Sequence, residues 1–211
     1  MPAAPLSRAE FAETTGVSRE TLDRLQLHLD LLERWQRRIN LVGRATLADP
    51  WRRHMLDSAQ LLRLLPAPPG PVVDLGSGAG FPGLVLAICG VPGMHLIESD
   101  RRKAEFLREV VRQTGAPAEI HVGRIEQMQG WPAGVVTARA LAPLPRLLSL
   151  AGRFLGPGST CLFLKGASAH AELTEAARHW HIMPALVPSL SDPSGVVLQL
   201  KEVGRASDCQ S

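Results

Sequence analysis

A glycine-rich segment at residues 72–83 carries the strongest indication of chemistry in this chain. It reads VVDLGSGAGFPG. Glycines let backbone amides approach a ligand without a Cβ in the way, and a proline suits the first position of a helix, where its missing N–H costs nothing. The segment therefore predicts a buried strand, a nucleotide-binding turn and a helix that begins at Pro82.

Two classes of cofactor fit these glycines. Residues 78–83 satisfy the GxGxxG pattern of dinucleotide sites, whereas residues 74–78 satisfy the DxGxG pattern of S-adenosylmethionine sites. In a dinucleotide site the first glycine follows the strand at once, but here that place belongs to Gly76. Counted from Gly76, the sixth position of the pattern is the bulky Phe81. A carboxylate at Asp74 would repel a pyrophosphate and suits a cationic amino acid with a sulfonium. These features favour S-adenosylmethionine, with Asp74, Gly76 and Gly78 in contact with it.

Glu98 is a second candidate for cofactor binding. It ends the next apolar strand, Met94–Ile97, where a carboxylate can accept both hydroxyls of a ribose. Both cofactors carry that ribose, and Glu98 lies 20 residues after Gly78, as in dinucleotide sites. An NAD(P)-dependent oxidoreductase therefore stays open as the alternative, although the chain leaves little room for a separate substrate domain.

Composition and length restrict the class of protein. The chain has 211 residues, of which 45% are hydrophobic and 20% charged, with a net charge of +3, which indicates one folded domain with an extension and is compatible with a polyanionic partner. Cys89, Cys161 and Cys209 include no CxxC pair, so we expect neither disulfides nor a metal site. No apolar run reaches the ~18 residues of a membrane span, and no signal segment is evident. A cytoplasmic protein is expected.

The order of apolar patterns predicts the fold. Leucines at helical spacing follow Ser18, a second helical stretch covers Leu47 to Leu65, and the breaker at Pro66–Gly70 suggests a boundary. Thereafter seven short apolar runs alternate with helical stretches, and the last two are joined by a short turn. We expect an α/β, Rossmann-like class I methyltransferase fold: a mostly parallel seven-stranded sheet, helices on both faces and an antiparallel C-terminal hairpin. The predicted units are a helical extension (1–66), a methyltransferase domain (67–205) and a flexible tail (206–211).

Several further motifs occur in a specific order along most of the chain. They are Asn40-Leu41, His54-Met55-Leu56-Asp57-Ser58, Phe81-Pro82-Gly83, Glu98-Ser99, Lys103 with Phe106-Leu107, Arg124-Ile125-Glu126, Arg139-Ala140 and Lys165-Gly166. In this order the chain closely resembles the bacterial ribosomal RNA small subunit methyltransferase G family, also called glucose-inhibited division protein B. The resemblance implies methyl transfer from S-adenosylmethionine to N7 of one guanine in the decoding-region loop of 16S rRNA, with the small ribosomal subunit as partner.

The resemblance also implies which residues contact the cofactor. The matching positions are Gly76, Phe81, Ile125, Glu126 and Arg139. One departure stands out: relatives often carry an aspartate shortly before the run that ends in Arg-Ala, whereas residues 134–140 read GVVTARA here. A role for that acid cannot be transferred to this chain.

The sequence agrees with a ring nitrogen as methyl acceptor. Guanine N7 offers a lone pair, so its attack needs no general base. After the fourth strand the chain has neither the Asn/Asp-Pro-Pro-aromatic motif for exocyclic amines nor a Pro-Cys pair for pyrimidine C5. We assign positioning of substrate or cofactor to Arg139, at the end of that strand, and a further catalytic contact to Lys165.

Basic side chains supply candidates for RNA contact. Arg101, Arg102 and Lys103 follow the second strand, and His54 lies on the helical segment before the sheet. The arginines could equally form a solvated helix face, and His54 could join Asp57 and Ser58 in a hydrogen-bonded structural face. A ribosome-assembly protein that binds RNA without catalysis is the third functional class that the sequence leaves open.

Overall fold

A computed structural model of the chain describes residues 4–205. Seven strands form one sheet; in chain order they are β1 (Val72–Leu75), β2 (Met94–Glu98), β3 (Ala118–Val122), β4 (Ala133–Arg139), β5 (Leu155–Lys165), β6 (Trp180–Pro188) and β7 (Val196–Arg205). Their spatial order is β3-β2-β1-β4-β5-β7-β6. Strand β7 runs antiparallel to its neighbours β5 and β6, and every other neighbouring pair is parallel. The predicted sheet and C-terminal hairpin are confirmed.

Helices cover both faces of the sheet. They are α1 (Arg8–Thr15), α2 (Arg19–Gln36), α3 (Asp57–Ala59), α4 (Gly83–Ile88), α5 (Arg101–Thr114), α6 (Leu144–Ala151) and α7 (Ala169–Ala176). One hydrophobic cluster packs α1, α2, α4 and α5 against sheet residues such as Val72 and Val135. A second cluster packs α6 and α7 against the other face, where the neighbouring residues Val73 and Val136 point. This alternation along each strand is what a sheet buried on both faces requires.

Capping residues fix the ends of the longer helices. Ser18 accepts a hydrogen bond from the Thr21 amide at the start of α2, as its place in the sequence predicts, and Asp100 accepts from the amides of Arg102 and Lys103 at the start of α5. Helix α5 ends at Thr114 and is capped by Gly115, which has the left-handed conformation that favours glycine. Helix α1 was not predicted because it buries only Phe11, although Ser7 and Glu10 form a capping box that signals it.

The segment before the sheet differs from the single helix predicted over Leu47 to Leu65. It consists of a 3-10 turn (Arg44–Ala48), a π-helical turn (Trp51–Leu56), α3 and a second 3-10 turn (Gln60–Leu64). Pro50 lies between the first two turns and cannot donate the N–H that a continuous helix needs. The chain therefore winds through short turns that pack on the same hydrophobic cluster as α2 and α4.

Two other expectations concern the extent of the chain. The division after residue 66 stays a prediction, and both sides of it contribute to one hydrophobic cluster. The predicted tail at 206–211, including Cys209, lies outside the described residues. Within residues 4–205, no helix has both the length and the apolar character needed to cross a bilayer.

Candidate active site

A cavity opens at the carboxyl edge of the sheet, beside β1 and β4, where the strand order reverses. Its volume is about 720 Å³, within the range of small-molecule sites. Ligands of open α/β sheets bind at this edge. The wall is formed by the turn after β1, the ends of β4 and β5, and the turns of the N-terminal segment; its charged side chains are Arg53, Asp57, Lys103, Arg139, Lys165, Glu172 and Asp192.

The glycine turn supplies backbone to one side of the cavity. Gly76, Gly78 and Gly80 all have positive φ, at 66°, 55° and 87°, which side-chain-bearing residues rarely adopt. Gly83 has another function: an added Cβ there would lie 2.4 Å from Leu96 and 2.6 Å from the Cβ of Asp74. The turn can thus present amides to a ligand while α4 packs closely on the sheet. Helix α4 begins at Gly83, and Pro82 is the residue before it. The prediction that Pro82 is the first residue of this helix is therefore wrong by one position.

Asp74 lies beneath the turn and not on the cavity wall. Its carboxylate is fully buried, accepting hydrogen bonds from the Thr137 hydroxyl at 2.8 Å and the Gly83 amide at 3.2 Å. Burial raises its pKa to about 6, an effect that the hydrogen bonds oppose. The expected direct contact between this carboxylate and a cationic cofactor does not agree with its position. Its structural role is to fix the start of α4 to β1 and β4.

Glu98 supports the turn from behind. One of its carboxylate oxygens accepts the Gly78 amide at 2.8 Å, and the other accepts the Asp100 amide at 2.7 Å. The side chain is buried next to the wall but does not line the cavity. Each carboxylate oxygen can accept more than one hydrogen bond, so this geometry leaves acceptor capacity for a diol.

Arg139, the last residue of β4, is held by the N-terminal segment. Its Nη1 donates to the Arg53 carbonyl at 2.9 Å and to Asp57 Oδ2 at 3.1 Å, and its Nη2 donates to His54 Nδ1 at 3.2 Å. The guanidinium carbon also lies 4.8 Å from the centre of the Phe81 ring. Only 18% of the side chain is exposed, on the cavity wall. Four partners therefore fix the direction of this cation.

His54 lies behind Arg139 as a neutral acceptor. Burial, and then the charge of Arg139, lower its pKa to about 3. Because Nδ1 accepts from Arg139, we assign the ring proton to Nε2, which donates to the Thr46 hydroxyl at 2.9 Å. The prediction that His54 contacts RNA does not agree with its position, since the residue is only 3% exposed and does not line the cavity. Its geometry matches the structural alternative.

Phe81 is the packing centre of this side. The ring stacks on His54 at 4.6 Å and on His28 at 5.0 Å between ring centres. His28 is fully buried, and burial lowers its pKa to about 4. Its Nε2 donates to the Ala79 carbonyl at 2.9 Å, and because its pKa is low the ring makes this contact with the glycine turn in the neutral state.

Lys165 ends β5 next to Arg139. Its ammonium group donates to the Ala142 carbonyl and to Glu172 Oε2, each at 2.7 Å. The same Glu172 oxygen accepts the Leu144 amide, and the other accepts the Ser168 hydroxyl. Partial burial acts to raise the pKa of Glu172, but these hydrogen bonds lower it overall. Lys165 therefore anchors the start of α6 to α7 while it lines the cavity.

The backbone is strained immediately after Arg139. Ala140 has a φ of 51°, a conformation that costs an alanine about 1–2 kcal/mol. This residue lines the cavity between β4 and the start of α6. Backbone strain of this kind persists only where surrounding contacts hold the residue in place. Here the strained residue, Ala140, directly follows Arg139.

Every carboxylate on the described wall is paired with a cation. Asp57 contacts Arg139, Glu172 contacts Lys165, and Asp192 accepts from Arg53 at 3.0 Å. Hydrogen bonds from Ser194 and from Arg53 lower the pKa of Asp192. The thiols of Cys89 and Cys161 lie off the wall, and burial raises the pKa of each to about 12. Among the described residues, the cavity thus offers positioning groups and no free basic carboxylate.

The other predicted site residues are dispersed. Ile125 and Glu126 form a 3-10 turn after β3, where Ile125 is buried and Glu126 pairs with Arg146 on the surface. Neither lines the cavity. Of the basic run at the start of α5, Lys103 lines the cavity, whereas Arg101 and Arg102 are exposed outside it.

Three residues in or next to the site were not predicted from the sequence. His28 was passed over within the leucine pattern of α2, although a histidine at a buried helical position is a signal for a polar contact. Glu172 and Asp192 come from late segments whose nearness to the glycine turn depends on the order of β5, β7 and β6. Sequence spacing alone does not bring them together.

Comparisons with known proteins concern the chain as a whole. A family model described as rRNA small subunit methyltransferase G matches residues 21–194. A protein of that name from Rhodospirillum centenum is 57% identical over 203 residues, covering 96% of this chain and 94% of its own. Another, from Paramagnetospirillum magneticum, is 58% identical over 196 residues, covering 93% of this chain and 96% of its own.

The fold also matches solved structures. A TehB-like SAM-dependent methyltransferase from Corynebacterium glutamicum superimposes with a TM-score of 0.56 at 16% identity, covering 84% of this chain and 98% of that one. At this identity the likeness concerns the fold, and it confirms the predicted class I methyltransferase architecture. Taken with the extent of the family match, these findings establish that the chain belongs to the rRNA small subunit methyltransferase G family.

Proposed function

We propose that this protein transfers the methyl group of S-adenosylmethionine to N7 of a guanine in the decoding-region loop of 16S rRNA. The observation that carries the proposal is a cavity in which partners hold Arg139, Lys165 and Arg53, and in which every carboxylate of the described wall is paired with one of these cations. Methylation of a ring nitrogen needs alignment and no proton removal. The names of the relatives support ribosomal RNA as the substrate.

The cavity suits an adenosyl cofactor in size and in backbone. Gly76 can offer its amide on the wall, and Glu98, which already accepts the Gly78 amide and so fixes the turn, can accept ribose hydroxyls. When bound, the cofactor supplies an electrophilic methyl group on a sulfonium. Asp74 acts indirectly in this assignment, through the conformation of the turn.

Arg139 is the residue best placed to orient the acceptor. Its side chain lines the cavity, and His54, Asp57 and the Arg53 carbonyl hold three of its five N–H donors. A planar donor fork suits guanine O6 or a phosphate. Fixed positions lower the barrier of an in-line displacement because no side chain has to reorganise.

Lys103 and the exposed pair Arg101 and Arg102 suit the RNA backbone. All three lie on the first turn of α5, and Lys103 reaches the cavity. Phosphate contacts of this kind set affinity without selecting sequence. The small subunit would thus be held along this helix, with the target base in the cavity.

The test is methylation of small subunits purified from a strain that lacks this activity. Incubation with the protein and radiolabelled S-adenosylmethionine should incorporate one methyl group, and cleavage specific for N7-methylguanine should map it to the decoding-region loop. Binding of the subunits without incorporation would instead favour a non-catalytic assembly protein. Incorporation at another atom or nucleotide would contradict the assigned target.

A thermal-shift experiment separates the cofactor classes. S-adenosylhomocysteine at 100 times its Kd should stabilise the protein by about 2.7 kcal/mol, whereas NAD should not. Stabilisation by NAD alone would favour the oxidoreductase alternative.

A further inference from the structure

Three potential metal ligands meet on β2 and β3, outside the cavity. They are His95, Glu119 and His121. His95 lies near the start of β2, opposite Glu119 on the edge strand β3, and His121 lies opposite Ile97. Since side chains alternate along a strand, the three point to the same face of the sheet. The lack of a CxxC pair predicted no metal site, but this group forms through the register of β2 and β3, which cysteine spacing does not reveal.

The distances within this group suit a common ligand. His95 Nδ1 lies 3.1 Å from His121 Nε2, and these atoms lie 3.5 Å and 3.6 Å from oxygens of Glu119. One ligand atom can be taken from each residue so that all lie within 4.8 Å. Nitrogen and oxygen atoms bound to one tetrahedral zinc lie about 3.3–3.6 Å apart, given metal–ligand distances of 2.0–2.2 Å.

The chemistry of the donors indicates the class of metal. Two imidazoles and a carboxylate suit zinc and its neighbours in the first transition row, and suit magnesium or calcium poorly. The histidines are about one quarter exposed and Glu119 about two thirds exposed, so an ion can enter from solvent. Trp131 borders the group, with its ring centre 5.3 Å from that of His95 and 5.1 Å from that of His121.

We propose that His95, Glu119 and His121 bind one divalent zinc-type cation, with water as the fourth ligand. The ion would join the edge strand β3 to β2, and its site is separate from the proposed methyl transfer. A hydrogen bond between the two imidazoles would also explain the 3.1 Å distance between His95 and His121. It would not explain why the Glu119 carboxylate faces both rings.

The test is a Zn²⁺ titration of chelator-treated protein without an affinity tag, in competition with a chromophoric chelator. Wild type should bind one equivalent. His121→Asn should weaken binding more than about 100-fold, since even residues that only orient ligands contribute 10–100-fold. Glu119→Gln, on an exposed side chain, provides a second variant that disturbs the fold little. His170→Asn removes an exposed histidine from α7 and should bind like wild type.

Two spectroscopic readouts locate the ion. Co²⁺ should give the strong visible absorption of four-coordinate cobalt, and it should quench the fluorescence of Trp131 in wild type and in His170→Asn only. A stoichiometry near zero in wild type would overturn the proposal. Equal Zn²⁺ affinity in wild type and Glu119→Gln, with both proteins folded by thermal melting, would overturn it as well.

Discussion

Arg139 and Lys165 end neighbouring strands at one cavity, yet they are held by different parts of the chain. In the pairing of β4 with β5, Arg139 is opposite Leu164, so the two cations are nearly level. The hydrogen-bond partners of Arg139 are Arg53, His54 and Asp57, all from the segment before the sheet. The partners of Lys165 are Ala142 and Glu172, from the segments that follow β4 and β5.

This difference shows how the N-terminal segment takes part in the site. Without this segment, Arg139 would still end β4 beside the cavity, but it would lose the hydrogen-bond partners that fix the direction of its side chain. Lys165 would keep its partners, since they belong to the sheet and its crossover helices. In the proposed reaction Arg139 would orient the acceptor, and Lys165 would mainly hold the wall together.

The largest expected effect is that of Arg139→Ala. Removal of the fixed donor fork should lower kcat/KM for methyl transfer by at least about 100-fold, as for other preorganised donors. The measurement is transfer of radiolabelled methyl groups to small subunits under single-turnover conditions.

Arg139→Lys is the matched control for charge. Lysine keeps the cation without the planar fork, so it should recover only a small part of the lost rate. Full activity of Arg139→Lys would show that charge alone is sufficient. Activity of Arg139→Ala within threefold of wild type would remove the proposed distinction between the two cations.

A second prediction concerns the packing beneath Arg139. The His28 pKa falls from 6.5 to about 4 on folding, so neutral His28 contributes stability above pH 6.5 that is lost as the pH falls towards 4. His28→Gln keeps a donor for the Ala79 carbonyl but does not titrate. Relative to this variant, wild type should lose about 3 kcal/mol of unfolding free energy between pH 6.5 and 4.

Urea unfolding at a series of pH values measures that difference. His54 is present in both proteins, so its own titration largely cancels from the comparison. Parallel stability curves for wild type and His28→Gln over this pH range would contradict the assigned neutral state.

Lys165→Met should have a smaller effect on catalysis. Methionine fills the space of the lysine stem but leaves Glu172 without its cation, so stability should fall by about 1–3 kcal/mol. The methyl-transfer rate should fall by about tenfold, less than in Arg139→Ala. Thermal unfolding and the transfer assay measure the two effects.

The double variant Lys165→Met with Glu172→Gln tests whether the unpaired charge of Glu172 causes the loss of stability. A neutral amide removes the unpaired charge, so part of the stability should return. A rate loss as large as that of Arg139→Ala, persisting in the double variant, would instead place Lys165 in direct contact with the reacting groups.

The smallest effect is expected at Arg101 and Arg102, outside the cavity. Replacing both by alanine should raise KM for the subunit several-fold at moderate salt and leave kcat unchanged. The dependence of binding on salt should also become shallower, by about one counterion for each phosphate that the variant no longer neutralises. An unchanged salt dependence would identify the pair as a solvated helix surface.

The sequence predicts elements well where a pattern is local. The seven strands, the hairpin and the Ser18 cap follow from apolar runs and capping residues. The turns over 44–64 were missed because Pro50 breaks a stretch whose apolar spacing still looks helical.

The glycines and the strand-end residues of the candidate site could be predicted from the sequence, but the contacts between its side chains could not. Gly76, Gly78, Phe81, Arg139 and Lys165 all reach the cavity wall. The burial of Asp74 depends on Thr137, which lies 63 positions away in sequence. The role of His54 likewise depends on Arg139, and such pairs become evident only when the sheet order is known.

The strained Ala140 connects this site to the thermal stability of the protein. Glycine adopts a φ of 51° without penalty, so Ala140→Gly would release a local cost and could make the enzyme harder to melt. The same change would give the end of β4 more freedom, just where Arg139 has to be held. Selection for thermal resistance and selection for turnover would then favour different residues at this position.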